Sequence, residues 1–203
     1  MPSKTSFKVA LVTSSTRPRR LSPFITEYIR SLISPLPPNI DIGIIDLEKQ
    51  DLPLFNEPVI PGHLPKEDPT PHYAHQHSRK WSAVVSEFDA FIFVTPQYNW
   101  SITAALKNAI DYLYHEWTAK PVLIVAYGSR GGNKAAAHLR QILTGLHMNI
   151  VESEGQLKIS TKTSVYCNEH GHLPEDTLAV WAQDKMDSQI RQGFAQITET
   201  LEA

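Results

Sequence analysis

The chain has 203 residues, which fits a single domain, residues 1–203, with a core large enough to fold unaided. Its formal net charge of −2 gives no electrostatic basis for binding nucleic acid or an anionic membrane. The single cysteine, Cys167, excludes an internal disulfide framework, and the sequence has neither a signal-like N-terminus nor a membrane-length apolar run. We therefore predict a cytoplasmic protein.

The chain opens with a pattern of strand, turn, helix and strand. Residues 7–13 predict a buried strand, and residues 14–21 a polar turn. Ser22 followed by Pro23 is typical of a helix start, with serine as the cap and proline in the first helical position. Residues 40–47 supply the second strand. A right-handed parallel unit is expected from this order.

Residues 51–75 are rich in proline and histidine and lack both helix and strand periodicity. We predict a long irregular excursion, because segments of this kind are usually functional or mobile loops. No metal site is predicted, since the histidines there have no nearby thiolate and no fixed helical spacing. These histidines are His63, His72 and His75, together with His77 just beyond the segment. Cys167 has no activating neighbour in sequence, so no catalytic thiol is predicted.

Two apolar runs in the second half of the chain have the length and composition of strands buried on both faces. The first, residues 90–95, must end at Pro96, because proline donates no hydrogen bond to a sheet. The second covers residues 121–127. Between them, apolar residues at helical spacing predict a helix that is capped by Ser101 and extends to Trp117.

The remaining elements continue the alternation of strands and helices. A helix over residues 78–88 precedes the first of these strands, and a helix through Ala136 and Leu146 follows the second. Short strands near Ile150 and at residues 156–159 come before one last helix that opens at Pro174. The sequence therefore predicts an α/β protein with a doubly wound parallel sheet and helices on both faces.

Three of the predicted strands end in turns that should share one edge of the sheet, where open α/β sheets bind their ligands. The first turn, residues 14–22, combines hydroxyls, arginines and a helix N-terminus, which are the elements of a phosphate site. A solvated basic turn explains the same residues equally well. The turn has neither a G-x-G-x-x-G nor a P-loop pattern, so neither of those nucleotide sites is indicated.

The other two turns differ from the first in chemistry. Residues 97–100 offer two amides, a phenol and an indole, which suit a flat heteroaromatic ligand; alternatively, Tyr98 and Trp100 cover the core and Asn99 closes a turn. Residues 127–132 contain glycines that let the backbone approach a ligand closely, although glycine also ends strands and starts helices. The coincidence of three such turns at one edge favours a ligand site.

Four motifs in this order resemble the NAD(P)H-dependent FMN reductases of the flavodoxin-like superfamily. They are Ser-Thr-Arg-Pro at residues 15–18, Thr-Pro-Gln-Tyr-Asn at 95–99, Leu-Lys-Asn-Ala-Ile-Asp at 106–111, and Tyr-Gly-Ser-x-Gly-Gly at 127–132. The run at residues 112–117 is similar to the fungal quinone-reducing members. The resemblance implies a flavodoxin-like five-stranded parallel sheet in the order 2-1-3-4-5. It also implies a homodimer.

The resemblance implies a site for noncovalently bound FMN. The FMN phosphate would be held by Ser15, Arg17 and Ser22 and by the backbone of Pro23 and Phe24. The isoalloxazine and ribityl chain would contact Pro96, Gln97, Tyr98 and Asn99 on one side, and Tyr127, Ser129, Gly131 and Gly132 on the other. Independently of the resemblance, an exposed arginine beside the flavin suits a nucleotide phosphate, so we predict that Arg130 binds the nucleotide substrate. Recognition of a 2′-phosphate needs a cation, for which Arg130, Arg79 and Lys80 are unranked candidates. The chain departs from the family at Ser14, where glycine is usual, and at residues 101–103.

The resemblance further implies two-electron reduction of quinones by NAD(P)H in a ping-pong cycle of hydride transfers, with free flavin or azo compounds as further acceptors. The flavin carries this chemistry, so no side chain is named as acid, base or nucleophile. The alternative from another class is an FMN-binding electron carrier or redox sensor that does not turn over nucleotide. A carrier of the flavodoxin type tends to be strongly acidic and to hold phosphate in a neutral loop, unlike Arg17 here.

Overall fold

In a computed structural model, which describes residues 5–203, five parallel strands form one sheet in the order β2-β1-β3-β4-β5. The strands are β1 (Phe7–Thr13), β2 (Ile40–Asp46), β3 (Ala90–Pro96), β4 (Pro121–Gly128) and β5 (Asn149–Lys158). This confirms the predicted sheet and its strand order. The order reverses between β1 and β3, which is the point at which doubly wound sheets bind ligands.

Seven helices cover the two faces of this sheet. They are α1 (Ser22–Leu32), α2 (Gln76–Ser86), α3 (Ala104–Asp111), α4 (Asn133–Gly145), α5 (Thr161–His170), α6 (Glu175–Gln183) and α7 (Met186–Glu202). Helices α2, α3 and α4 build the core on one face, and α1 with the three C-terminal helices builds the core on the other. None of the helices within residues 5–203 has the length and apolar character of a membrane span.

The two central strands are apolar because helices cover both of their faces. Every residue of β3 is buried, and β4 is buried up to its last residue, Gly128. Burying a large aliphatic or aromatic side chain stabilises a fold by about 1.5–3 kcal/mol, so these two strands contribute much of the core energy. They also fix the ends from which two of the predicted ligand turns leave the sheet.

The irregular segment of residues 51–75 is confirmed as lacking α-helix and strand, and it contains only short 3₁₀ turns. It is nevertheless firmly attached to the domain. The side-chain amide of Asn108 donates to the Pro53 carbonyl at 2.7 Å and accepts from the Phe55 amide at 2.8 Å. At its other end, the Tyr73 hydroxyl donates to the buried carboxylate of Glu116 at 2.9 Å. Side-chain hydrogen bonds therefore replace secondary structure here.

Three predicted helix starts, those of α1, α2 and α3, are wrong by one or two residues. Helix α1 begins at Ser22 rather than after it, and the side chain of Leu21 in the cap position makes no capping hydrogen bond. Helix α3 is capped by Thr103, whose hydroxyl accepts from the Leu106 amide, and not by Ser101. It ends at Asp111, because the chain turns there and places Trp117 in the core after the helix.

The C-terminal third also differs from the prediction. One strand, β5, replaces the two predicted short strands, and its pairing with β4 shifts register between Val122 and Ile124. Three helices replace the single predicted one. The additional helix, α5, begins with a capping box in which Ser160 and Thr163 exchange side-chain and backbone hydrogen bonds. Helix α2 starts at Gln76, two residues earlier than predicted.

Candidate active site

A cavity of about 350 Å³ opens at the carboxyl ends of β1, β3 and β4. It lies where the three predicted turns meet, so the structure brings those turns together as the sequence indicated. A fourth segment, the junction of β5 and α5, completes the wall. The residues that line the cavity are Arg17, Arg19, Arg20, Leu21, Pro96, Gln97, Tyr98, Tyr127, Gly128, Ser129, Ile159, Ser160, Thr161 and Ser164.

Two serine hydroxyls attach the start of the β1–α1 loop to β3 and to the turn that follows it. Ser14 is fully buried, and its hydroxyl donates to the Val94 carbonyl at 2.9 Å. The Ser15 hydroxyl hydrogen-bonds the Tyr98 hydroxyl, also at 2.9 Å. Ser14 therefore fits at the position where the family usually has glycine, because its side chain ties β1 to β3 instead of entering the cavity.

The arginines of the same loop have different tasks. Arg20 donates to both carboxylate oxygens of Asp46, at 2.6 and 2.7 Å, and to the Ser15 carbonyl at 2.6 Å. The hydrogen bonds to Asp46 raise the pKa of Arg20 above its ordinary value. Arg17 is exposed, and its guanidinium lies 6.0 Å from the ring centroid of Tyr98. Arg20 thus holds the loop in shape, and Arg17 remains available to an anion.

The first turn of α1 lies behind this loop. The hydroxyl of Ser22 is buried and lies 2.5 Å from the hydroxyl of Tyr127, so a ligand must compete with that bond to reach it. Pro23 has no amide hydrogen, so of the two predicted backbone contacts only Phe24 is able to donate one. Amides in a first helical turn lack an intrahelical acceptor, which leaves the Phe24 amide suited to a phosphate.

The β3–α3 turn is a two-residue hairpin. Tyr98 and Ser101 exchange two backbone hydrogen bonds of 2.9 Å. Asn99 and Trp100 between them both have positive φ, at 46° and 68°. Asparagine tolerates this conformation better than most residues do, and tight hairpins require it. The hairpin places Tyr98 in the cavity wall and leaves Trp100 72% exposed beside it.

Gln97 connects this hairpin to the β4–α4 loop. Its backbone amide donates to the Tyr127 carbonyl at 2.9 Å, and its side-chain oxygen accepts from the backbone amide of Lys134 at 3.0 Å. The second bond caps α4, whose own cap residue, Gly132, has no side chain to do so. The side-chain NH₂ of Gln97 remains for a ligand.

The glycines of the β4–α4 loop are required by its backbone. Gly131 and Gly132 have φ of 86° and 81°. A Cβ atom on Gly132 would lie 2.7 Å from the Tyr127 nitrogen, closer than real Cβ contacts come. Burial raises the pKa of the Tyr127 hydroxyl above its ordinary value, so this side chain is a neutral phenol at physiological pH.

The predicted site residues divide into two groups. Arg17, Pro96, Gln97, Tyr98, Tyr127 and Ser129 line the cavity. The others do not, although each lies within about three positions of a residue that does: Ser15, Ser22, Pro23, Phe24, Asn99, Arg130, Gly131 and Gly132. The other lining residues were not predicted: Arg19, Arg20, Leu21 and Gly128 lie within or beside the predicted turns, and Ile159, Ser160, Thr161 and Ser164 lie at the β5–α5 junction. The only sequence signal for the junction residues was the cluster of hydroxyls.

Neither of the remaining reactive groups points to chemistry of its own. Residues 5–203 contain no group of three or more histidine, cysteine, aspartate or glutamate side chains placed to hold a metal ion. Cys167 is fully buried, and this burial raises the pKa of its thiol. A buried thiol is a weak nucleophile because it stays protonated.

The chemistry of the cavity wall suits a phosphorylated flat ring. Tyr98, Pro96 and the glycine-containing loop present flat and close surfaces, and the Gln97 amide offers an edge hydrogen bond. Three arginines and no acidic residue line the wall. With the sheet order 2-1-3-4-5 and its switch point at this cavity, these features define a flavodoxin-like FMN protein.

Comparison with known proteins agrees with this class. The model of the NADPH-dependent FMN reductase family matches residues 7–162. The chain is 42% identical over 150 residues to an NAD(P)H-dependent FMN reductase of Saccharomyces cerevisiae, an alignment that covers 71% of this chain and 77% of the yeast protein. It is 32% identical over 149 residues to a quinone reductase of Pseudomonas putida, covering 70% and 72%. The chain therefore belongs to the NADPH-dependent FMN reductase family.

The fold comparison is equally clear. A flavoenzyme NAD(P)H:(acceptor) oxidoreductase from Paracoccus denitrificans superposes with a TM-score of 0.63 over 91% of this chain and 95% of its own, at 20% identity.

Membership of the family makes this chain an NAD(P)H-dependent oxidoreductase with FMN as its cofactor. It confirms the sequence prediction of both the cofactor and the nucleotide co-substrate.

Proposed function

We propose that this protein catalyses the reaction NAD(P)H + H⁺ + quinone → NAD(P)⁺ + hydroquinone by a ping-pong cycle. The size of the cavity carries the proposal. At about 350 Å³ it is at the small end of the range for ligand pockets, about 300–1,000 Å³, so it holds one ligand of the size of FMN. A cavity filled in this way would leave nucleotide and quinone to react one after the other, which is the order of a ping-pong cycle.

The residues of the chain bind and orient in this reaction. FMN, when bound, supplies the two-electron chemistry that links nucleotide and quinone. Arg17, in the cavity wall, and the Phe24 amide, in the first turn of α1 behind that wall, would hold its phosphate, because both are donors suited to an anion. Tyr98 and the NH₂ of Gln97 position the ring system. The neutral phenol of Tyr127 keeps a negative charge away from the flavin site.

The serines and glycines predicted from sequence take indirect parts in this proposal. Ser15 and Ser22 act by holding Tyr98 and Tyr127, to which their hydroxyls are hydrogen-bonded. Gly131 and Gly132 act by letting the backbone pass close to the ring system. A quinone is the proposed acceptor because one of the relatives above is named a quinone reductase and the wall between Pro96 and Ile159 suits a flat, uncharged substrate.

Steady-state kinetics test this cycle against the carrier or sensor alternative. With FMN-loaded protein, initial rates at varied NADPH and several fixed menadione concentrations should give parallel double-reciprocal lines, the pattern of a ping-pong cycle. Intersecting lines would mean that both substrates bind together, against the proposal. Bound FMN with no steady-state turnover would favour a carrier or sensor.

We further propose that the protein is a cytoplasmic homodimer. A patch of large apolar side chains on the irregular segment, which we call the 54–60 patch, is exposed to solvent: Leu54 (82%), Phe55 (39%), Val59 (47%) and Ile60 (64%). Large exposed apolar side chains of this kind are typical of interaction sites. The hydrogen bonds of Asn108 and Tyr112 hold the start of this patch in place, so it is preformed.

The surface next to the patch fits a second copy of the chain. An apolar groove of about 340 Å³ lies between the patch and helices α3 and α4, with Leu113, Ile142 and Leu146 in its wall. Lys107 and Asp111 form an ion pair on its rim. A two-fold axis there would place the apolar patch of each copy on the groove of the other and oppose charges of opposite sign.

A further inference from the structure

Two cationic side chains in the cavity wall lack a counter-charge. Of the three arginines there, Arg20 is neutralised by Asp46 at 2.6 Å. Arg17 lies over the ring of Tyr98, and Arg19 makes no hydrogen bond, ion pair or ring contact with any of residues 5–203. No acidic residue lines the cavity, so Arg17 and Arg19 make its mouth positive. One of them is enough to complete the FMN phosphate site with the first turn of α1.

The size of the cavity leaves the phosphate groups of the nucleotide substrate at the mouth of the cavity. A cavity of about 350 Å³ that contains FMN has no room for a whole nicotinamide dinucleotide. Only the nicotinamide must reach the flavin, so the adenosine half with its phosphate lies outside. Arg19 is exposed, and the loop that carries it is held by Arg20 next to it.

The wall that includes the β5–α5 junction adds neutral donors. Thr161 and Ser164 line the same cavity as Arg19, whereas the hydroxyl of Ser160 beside them is used by the capping box of α5. A guanidinium together with hydroxyl groups suits a phosphate monoester, which carries close to two negative charges at neutral pH. NADPH has such a group on the 2′-oxygen of its adenosine, and NADH has none.

We propose that Arg19 binds the 2′-phosphate of NADPH and so gives the enzyme a preference for NADPH over NADH. The proposal rests on the proposed function, since it concerns the substrate of the same site. The other candidates fit less well. Arg79 donates to the carbonyls of Tyr73 and Ala74 at 2.6 and 3.1 Å, and Lys80 lines a separate cavity with Gln50. Arg130 lies outside the wall of the FMN cavity.

The test compares Arg19→Gln with Arg191→Gln, which removes the same charge from an exposed position on α7. Both variants are loaded with FMN. The affinity for NADP⁺ is measured by titration calorimetry, and kcat/KM is measured for NADPH and for NADH. For Arg19→Gln we expect NADP⁺ affinity and kcat/KM for NADPH to fall about tenfold or more, because a charge-assisted hydrogen bond is lost. Values for NADH and FMN retention should match those of the control.

Three results would overturn the assignment. Unchanged NADP⁺ affinity would mean that Arg19 makes no such contact. Equal losses for NADPH and NADH would move the contact to the diphosphate that both share. Release of FMN would make Arg19 part of the FMN phosphate site. A wild-type protein that binds FMN but is reduced by neither nucleotide would instead contradict the proposed function, and the NADP⁺ titration would still decide the role of Arg19.

Discussion

Arg17 is the single residue on which the phosphate site depends most. It is exposed, it has no ion-pair partner within residues 5–203, and its guanidinium lies beside Tyr98 at the mouth of the cavity. The loop beneath it is held by Arg20 and Ser14, so removing Arg17 leaves the fold intact.

We expect Arg17→Ala to raise the dissociation constant of FMN about 10- to 100-fold, the effect of losing one charge-assisted hydrogen bond. The free energy of unfolding of the apoprotein should change by less than about 0.5 kcal/mol, as for other exposed positions. Flavin fluorescence titration measures the first and urea unfolding the second. Arg30→Ala, an exposed arginine on α1 that bonds only Glu27, is the control. Equal FMN affinity in the two variants would contradict the assignment.

At this scale the sequence predicts residue types better than their contacts. Arg17, Tyr98 and Ser129 were recognisable because motifs of distinctive chemistry follow predicted strands. The pairing of Ser15 with Tyr98 joins residues 83 positions apart, and that of Ser22 with Tyr127 joins residues 105 apart. Such contacts leave no local pattern, so the supporting role of both serines appears only in three dimensions.

Among the elements, the loop between β4 and α4 depends most on backbone geometry. Gly132 has φ of 81°, and a Cβ atom there would meet the Tyr127 nitrogen at 2.7 Å. Gly171, which caps α5, has φ of 77° but no atom within 4 Å of its would-be Cβ. Alanine at Gly171 would therefore introduce only the strain of a positive φ, whereas alanine at Gly132 would introduce that strain and a steric clash.

Gly171→Ala should lower the free energy of unfolding by about 1–2 kcal/mol, the cost of a side chain in the left-handed region. Gly132→Ala should cost clearly more, because rigid backbone stands where the methyl group must go, and it should also weaken FMN binding. Urea unfolding of both variants and FMN titration provide the measurements. Equal losses of stability with intact FMN binding would show that the loop is not held against β4 as described.

The elements that the sequence predicted best are those whose burial is complete. β3 and β4 are apolar throughout because both faces are covered. The sequence predicts two short strands in place of β5, because β5 is an edge strand with polar residues such as Glu152 and Glu154 in its centre. It predicts no helix at α5, because only Thr163 and Cys167 of that helix are buried and it has no apolar stripe.

At the scale of the whole molecule, we expect a dimer held by the 54–60 patch. Leu54→Asp should shift the protein to monomers, raising the dimer dissociation constant at least about tenfold, because a charge would be buried without a partner. Val165→Asp is the control, since Val165 is 52% exposed on α5 outside the patch. Sedimentation equilibrium gives the masses. A wild-type monomer, or a Leu54→Asp dimer as stable as the control, would contradict the prediction.

Fold class and strand order follow from the sequence because alternating strands and helices leave few arrangements of a parallel sheet. The outline of the site follows too, since such sheets place their ligands at one edge. The wall contributed by Ile159 and Ser164 does not follow, because it depends on where an unpredicted helix packs.

The anaerobic visible spectrum of the FMN-loaded protein directly tests whether nucleotide reduces the bound flavin and quinone reoxidises it. NADPH, and NADH in a separate sample, should bleach the flavin band near about 450 nm. After free nucleotide has been removed, an added quinone should restore the band, as a ping-pong cycle requires. Bound flavin that neither nucleotide bleaches would contradict the account and leave an FMN-binding carrier or sensor in its place.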